Sequence, residues 1–187
     1  MNLNIFCTKI KIVNDFLSEE ELKQALSLLS KTKQTSHGEF VGEHSSSHLS
    51  YDNPLENTDL EKKINNEILK YCADCLMESQ KITSSWINVQ KKDSILKMHN
   101  HHPVQISGAI WLKSDEHSTD LVFENPNPFV RNTFKAQSNE WSYSQYFTVK
   151  PLPGTLVLFP GWLYHEVPIN TSDKDRVVIS FNICKPT

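Results

Sequence analysis

Three histidines crowd the segment Met98-His99-Asn100-His101-His102-Pro103. Side chains on an extended strand alternate faces, so His99 and His101 share one side and His102 takes the other. Two imidazoles so spaced can chelate one ion at about 2.0–2.1 Å. The same H-x-H also reads as surface histidines in a polar turn, because a short motif takes its meaning from context. His165 stands in GTLVLFPGWLYHEV. An apolar strand at 155–159, a Pro-Gly turn and a second short strand would put it near the rim of a barrel. A half-exposed strand histidine is the plainer alternative. Arg176 opens the last apolar run, RVVISFNIC. Alternation places Arg176, Val178, Ser180 and Asn182 on one face and Val177, Ile179, Phe181 and Ile183 on the other. If the apolar face is core, the polar face looks to solvent or into a wet cavity. An arginine inside a cavity needs an anionic partner, and its planar fork suits a carboxylate.

These residues need a scaffold, and the chain supplies the signals for one. Partial alternation over 4–13 predicts a strand. Ser18 and Glu21 form a capping box, and Leu22, Ala25, Leu26 and Leu29 form an apolar stripe, predicting a helix over about 18–31. A second pair, Thr58 and Glu61, opens a helix running to about 78 on Leu60, Ile64, Ile68, Cys72, Cys75 and Leu76. Residues 33–57 are polar and read as a surface loop with room for short strands. After residue 80 the period changes to two. Seven or eight short runs rich in β-branched and aromatic residues follow, separated by turns such as Lys92-Asp93, Pro153-Gly154 and Pro160-Gly161. The expectation is an α+β fold whose N-terminal helices pack outside an antiparallel sandwich or barrel. With no linker or internal repeat, residues 1–187 read as one domain, with supporting elements over 1–80 and the barrel core over 81–187.

Bulk composition narrows the function classes. The chain has 187 residues, 38% of them apolar and 22% charged, with a net charge of −3. No basic block marks a nucleic-acid footprint, and no apolar run approaches the ~20 residues of a membrane helix. The opening MNLNIFCTKIKIVNDF lacks the h-region of a signal peptide, and the four cysteines lack disulfide-framework density, so a cytoplasmic protein is expected.

The motifs taken in order resemble the Fe(II)/2-oxoglutarate-dependent dioxygenases, and within them a small branch found in bacteria and marine phages. The matching stretches are SWINV (Trp86, Asn88), HNH (99–101), SGAIWL (107–112), FENP (123–126), GTLVLFP (154–160), HEV (165–167) and RVVISFN (176–182). The resemblance covers residues 84–184, and VNDFLSEEEL is similar to the family's opening. The resemblance implies a double-stranded β-helix, or jelly roll, with Fe(II) at one mouth and 2-oxoglutarate as cosubstrate alongside O₂. It implies His99 as the first metal ligand, His165 as the distal one, and Arg176 as partner of the far 2-oxoglutarate carboxylate. Ser180 matches the hydroxyl residue four positions further on. Trp111 stands where the family usually has tyrosine, and offers only an indole N–H.

The third ligand departs from the superfamily at large. The common pattern is H-x-D/E, giving two histidines and one carboxylate; here the position holds His101. Either His99, His101 and His165 form a three-histidine site, the reading favoured here, or two histidines and water bind the ion with Glu124, Asp93 or Glu166 compensating. His102 is left to support the site from outside or to face solvent. The expected activity is hydroxylation of an unactivated C–H bond in a small-molecule or peptide substrate. The alternatives are a three-histidine cupin-like metalloenzyme that does not use 2-oxoglutarate, and a non-catalytic jelly-roll binding protein. Arg131, Trp141, Tyr143 and Tyr146, within and just beyond the irregular stretch 126–145, could line a lid over the mouth. Cys72 and Cys75 read as core cysteines on a helix stripe, and His37, His44 and His48 as solvated loop histidines.

Overall fold

The computed structural model describes residues 7–128 and 144–185. The first helix, α1 (Glu19–Ser27), begins at the expected capping box. Glu21 N–H donates to Ser18 Oγ at 3.3 Å, and Ser18 N–H donates to Glu21 Oε2 at 2.8 Å. Two otherwise orphaned amides are thereby satisfied. The last turn tightens into a 3-10 helix, Leu28–Lys31. Thr58 caps the second helix, α2 (Asp59–Asp74), by accepting from Glu61 N–H at 3.0 Å. Glu61 itself reaches one residue further back, to Asn57 N–H. This helix stops short of residue 78. Leu76 takes a left-handed φ of 55°, and Met77 N–H closes onto the Cys72 carbonyl. Cys72 is buried in the core, and Cys75, at the helix C-cap, packs partly buried against it; both are free thiols on the side the apolar stripe predicts.

The strands are short and antiparallel. β1 (Lys11–Val13) precedes α1; it is shorter than the stretch 4–13, of which 4–6 lie outside the described residues. The polar segment between the helices carries β2 (Phe40–Val41), β3 (His44–Ser46) and a 3-10 turn, His48–Ser50. After α2 come β4 (Lys81–Gln90), β5 (Ile95–His99), β6 (Ile106–Lys113), β7 (Leu121–Glu124), β8 (Tyr146–Val149), β9 (Leu156–Pro160), β10 (His165–Val167) and β11 (Arg176–Cys184). One sheet has the order β1-β9-β6-β11-β4-β3 and the other β2-β5-β10-β7-β8.

Alternation decides which face each side chain takes. Ile87, Ile110, Leu158, Ile179 and Phe181 leave the six-stranded sheet on one side and pack with Ala25, Ile64, Ile68 and Tyr71 of the helices. Burial of each large aliphatic side chain stabilises by roughly 1.5–3 kcal/mol, enough to hold the helices on that face. Trp111, Val157, Phe159 and Val178 leave on the other side, toward Leu121, Phe123 and Val167 of the five-stranded sheet. The glycine of SGAIWL belongs to the packing on the helix side: a Cβ on Gly108 would fall 2.4 Å from the Phe181 ring. The result is an α+β jelly roll with helices outside, and β11 divides its faces as its sequence predicts. Among the described residues, no helix is long and apolar enough to cross a membrane.

Candidate metal centre

β5 ends on His99 and β10 begins on His165, and the antiparallel register sets these two residues directly opposite each other. Cross-strand partners point to the same face, so both imidazoles enter the space between the sheets. His101 lies two residues past the end of β5, in a loop rather than on the strand. Its backbone N–H donates to the Gly161 carbonyl at 2.7 Å, and Val104 N–H returns to the His101 carbonyl at 2.7 Å. The loop thus turns the His101 ring back toward the other two. The ring centroids of His99 and His165 lie 4.3 Å apart, and those of His101 and His165 lie 5.1 Å apart, nearly parallel.

One ligand nitrogen from each of His99, His101 and His165 lies within 4.8 Å of the others, and among the described residues this is the one such cluster of metal-binding side chains. His99 Nδ1 contacts the Lys97 carbonyl at 2.8 Å and His165 Nδ1 the Leu163 carbonyl at 2.9 Å. A carbonyl only accepts, so each Nδ1 carries the proton and each Nε2 presents a lone pair. His101 Nε2 and His165 Nε2 stand 3.3 Å apart, a separation open to two ligands that each sit ~2.1 Å from one ion. Burial, together with the neighbouring imidazoles, pushes His165 well below the ordinary histidine range and His101 down to about 3. Both rings are therefore neutral at pH 7, the form that binds a metal. His165 is only 4% exposed, which removes the half-exposed alternative.

None of Glu124, Asp93 and Glu166 joins the cluster or lines its cavity. Glu166 follows His165 on β10 and takes the opposite face, and Asp93 lies exposed in the turn between β4 and β5. Among the described residues, the carboxylate beside His99 is one that the sequence does not signal: Glu39 Oε2 lies 3.9 Å from His99 Nε2. His102 is exposed.

The cluster opens into a cavity of about 160 Å³ that Trp86, Asn88, Gln90, Trp111, Arg176 and Ser180 also line. Arg176 is 3% exposed. Its Nη1 donates to Gln90 Oε1 at 2.7 Å, its Nε has no partner, and the Trp111 ring lies 5.9 Å from its guanidinium carbon. Desolvation lowers its pKa to about 9, with the Asp120 charge acting in the other direction. A buried guanidinium whose hydrogen bond goes to a neutral amide is costly, and an incoming carboxylate would relieve that cost. Trp111 Nε1 is likewise buried and unpartnered. Ser180 Oγ accepts from Asn88 Nδ2 at 3.4 Å, and Asn88 accepts from Ser46 at 2.6 Å, so strand β3 braces this wall.

Of the three loop histidines, His48 is exposed, as the solvated reading expects, and His37 and His44 are partly buried. His37 and His48 nonetheless line the same cavity, their ring nitrogens 3.0 Å apart, with His48 edge-on to Trp86. Short strands β2 and β3 fold the polar segment over the mouth, an arrangement that no local periodicity records. Tyr146 is exposed on β8, whereas Arg131, Trp141 and Tyr143 lie outside the described residues.

Neutral imidazoles suit Fe, Zn, Cu or Ni, and three protein ligands leave open positions for exogenous ones. Such a centre beside a buried cation with an unused donor is suited to a chelating acid with a second, remote carboxylate.

Known proteins share this fold. The chain covers 95% of itself and 83% of HygX from Streptomyces hygroscopicus, solved with nickel, 2-oxoglutarate and hygromycin B bound, at 11% identity and a TM-score of 0.68. It covers 96% of itself and 94% of a Pseudomonas putida prolyl-4-hydroxylase at 11% identity and a TM-score of 0.67. For SnoK, a non-heme alpha ketoglutarate dependent carbocyclase from nogalamycin biosynthesis, the shares are 95% and 80%, at 15% identity and a TM-score of 0.71. At such identities these likenesses establish the jelly-roll fold. No curated protein matches the sequence. The model of the family described as "Putative 2OG-Fe(II) oxygenase" matches residues 84–182, more than half of the chain. The chain therefore belongs to that family, and it is an Fe(II)- and 2-oxoglutarate-dependent oxygenase.

Proposed function

We propose that His99, His101 and His165 hold the Fe(II), and that Arg176, with Trp111 and Ser180 beside it, receives the far carboxylate of 2-oxoglutarate. The observation that carries this reading is one cavity with three converging imidazole nitrogens and a buried, half-satisfied guanidinium. When bound, the metal and cosubstrate supply O₂ activation coupled to decarboxylation, giving succinate, CO₂ and a hydroxylated C–H bond. The chain's own side chains do the rest. His99 and His165 keep their protons on Nδ1, so that the ligating nitrogens stay bare. Phe123 and Phe159 flank His165 and exclude water. Arg176 orients the cosubstrate by neutralising its remote charge. A carboxylate-free ligand set leaves the charge of the ion uncompensated, which lowers Fe(II) affinity relative to a site with one acidic ligand.

Arg176 on the wall of the same cavity supports this over a three-histidine centre that ignores 2-oxoglutarate. We also read the described residues as one domain, since helices and jelly roll share the six-stranded sheet. Four free cysteines, one of them fully in the core, fit a reducing cytoplasm. The test is Fe(II)-dependent conversion of 2-oxoglutarate to succinate, with anaerobic binding measured alongside. His165→Ala is expected to abolish metal uptake. Arg176→Ala is expected to keep the metal and weaken 2-oxoglutarate binding at least ~100-fold. No binding of millimolar 2-oxoglutarate by metal-loaded wild type would overturn the reading.

A further inference from the structure

Three neighbouring strands each place one donor at the same end of the cavity. Gln90 of β4 and Arg176 of β11 are directly opposite in the antiparallel register, so their side chains leave the sheet together. Trp111 of β6 is opposite Val178, two residues on from Arg176 and on the same face. All three line the cavity. Gln90 and Trp111 are 1% and 0% exposed, and Gln90 Nε2, Trp111 Nε1 and Arg176 Nε are all buried without partners. Three unused donors in one place are a strong sign of an absent acceptor, because leaving each unpaired is unfavourable.

The orientation of Gln90 follows from chemistry. A guanidinium only donates, so the amide oxygen must be the atom at 2.7 Å from Arg176 Nη1. The amide NH₂ is then turned the other way, free to donate. A glutamate at this position would pair with Arg176 and occupy it. A glutamine holds the fork in place and leaves its charge available.

We propose that Gln90 is a cosubstrate-selecting residue, locking the Arg176 fork and donating its own NH₂ to the remote carboxylate of 2-oxoglutarate. One positive charge and two neutral donors then meet one negative charge, and a carboxylate has the lone pairs to accept them all. The inference rests on the reading of 2-oxoglutarate in this cavity, and it adds a residue that the family motifs leave out.

The test uses protein loaded with Zn(II), which binds without turnover, titrated with 2-oxoglutarate and with pyruvate. Pyruvate keeps the 2-oxo acid end and lacks the remote carboxylate. Gln90→Leu is expected to lose about 10- to 100-fold in affinity for 2-oxoglutarate while Zn(II) uptake and pyruvate affinity stay unchanged. Gln90→Glu is expected to lose more, because its carboxylate competes for Arg176. Wild-type affinity in Gln90→Leu, or equal weakening toward both acids, overturns the inference and leaves the cosubstrate reading standing. Failure of Zn(II)-loaded wild type to bind 2-oxoglutarate overturns both. Should the variants not fold, the Gln90 side-chain amide resonances of wild type decide the matter. A downfield shift with 2-oxoglutarate but not with pyruvate supports the inference, and no shift overturns it.

Discussion

His101 depends on a single glycine. It lies beyond β5, so no strand geometry aims its ring; the hydrogen bond from its backbone N–H to Gly161 does. Gly161 serves this contact through its missing side chain. A Cβ there would sit 2.2 Å from the Val104 carbonyl oxygen, inside the loop that carries His101. Backbone atoms cannot step aside as a flexible side chain does, so Gly161→Ala must displace the loop. Its expected effect is at least a ~10-fold loss of Co(II) or Fe(II) affinity, equivalent to ~1.4 kcal/mol, with the far-UV circular dichroism of the fold retained. Unchanged metal affinity would show that His101 is not held by this contact.

The elements around the site are fixed from outside by the helices, and α1 shows how. Glu21 closes the capping box on Ser18 and also receives Lys63 of α2 at 2.7 Å, tying the two helices together. The Lys63 hydrogen bond, then that of the Ser18 amide, holds the Glu21 carboxyl down to about 2, against an ordinary value of 4.5. A depressed carboxylate stabilises the folded chain above its unfolded pKa and loses that contribution as pH falls through the folded value. The window is therefore about pH 4.5 down to about pH 2. More than a third of this side chain is exposed, so solvent screening holds the contribution to about 0.5–1 kcal/mol. The unfolding free energies of wild type and Glu21→Gln are expected to differ by that amount at pH 6 and to converge toward pH 2. Ser18→Ala is expected to cost ~1 kcal/mol in urea unfolding at neutral pH.

Across the whole molecule, the cavity draws on both sheets. His99 and His165 come from the five-stranded sheet, Gln90, Trp111 and Arg176 from the six-stranded one. Ligands bound there bridge the two layers and stabilise the folded state by mass action. At one hundred times its dissociation constant, a ligand adds ~2.7 kcal/mol. For a chain of this size that is a rise of roughly 5–10 °C in melting temperature. Stepwise rises with metal and then with 2-oxoglutarate are expected in a thermal melt, and a chelator should reverse them. Arg176→Ala should keep the first step and lose the second. A melt indifferent to both ligands would contradict the cavity's assignment.

Local interactions were legible in the sequence. Ser18 and Glu21 meet because a capping box spans three residues, and Arg176, Val178 and Ser180 share a face because a strand repeats every two. The run of short strands after residue 80, the helices outside and the pair His99 and His165 all follow from such rules and from the ordered motifs. Other features depend on contacts between residues far apart in the chain, which periodicity cannot encode. Register alone sets Gln90 against Arg176, and with it the orientation of an amide that no motif marks. Packing alone decides that Gly161 supports His101, that His37 and His48 line the cavity, and that Glu39 rather than Glu124, Asp93 or Glu166 is the carboxylate beside His99. A sequence records which side of its strand a residue takes; how near two such residues come is decided when the sheets close.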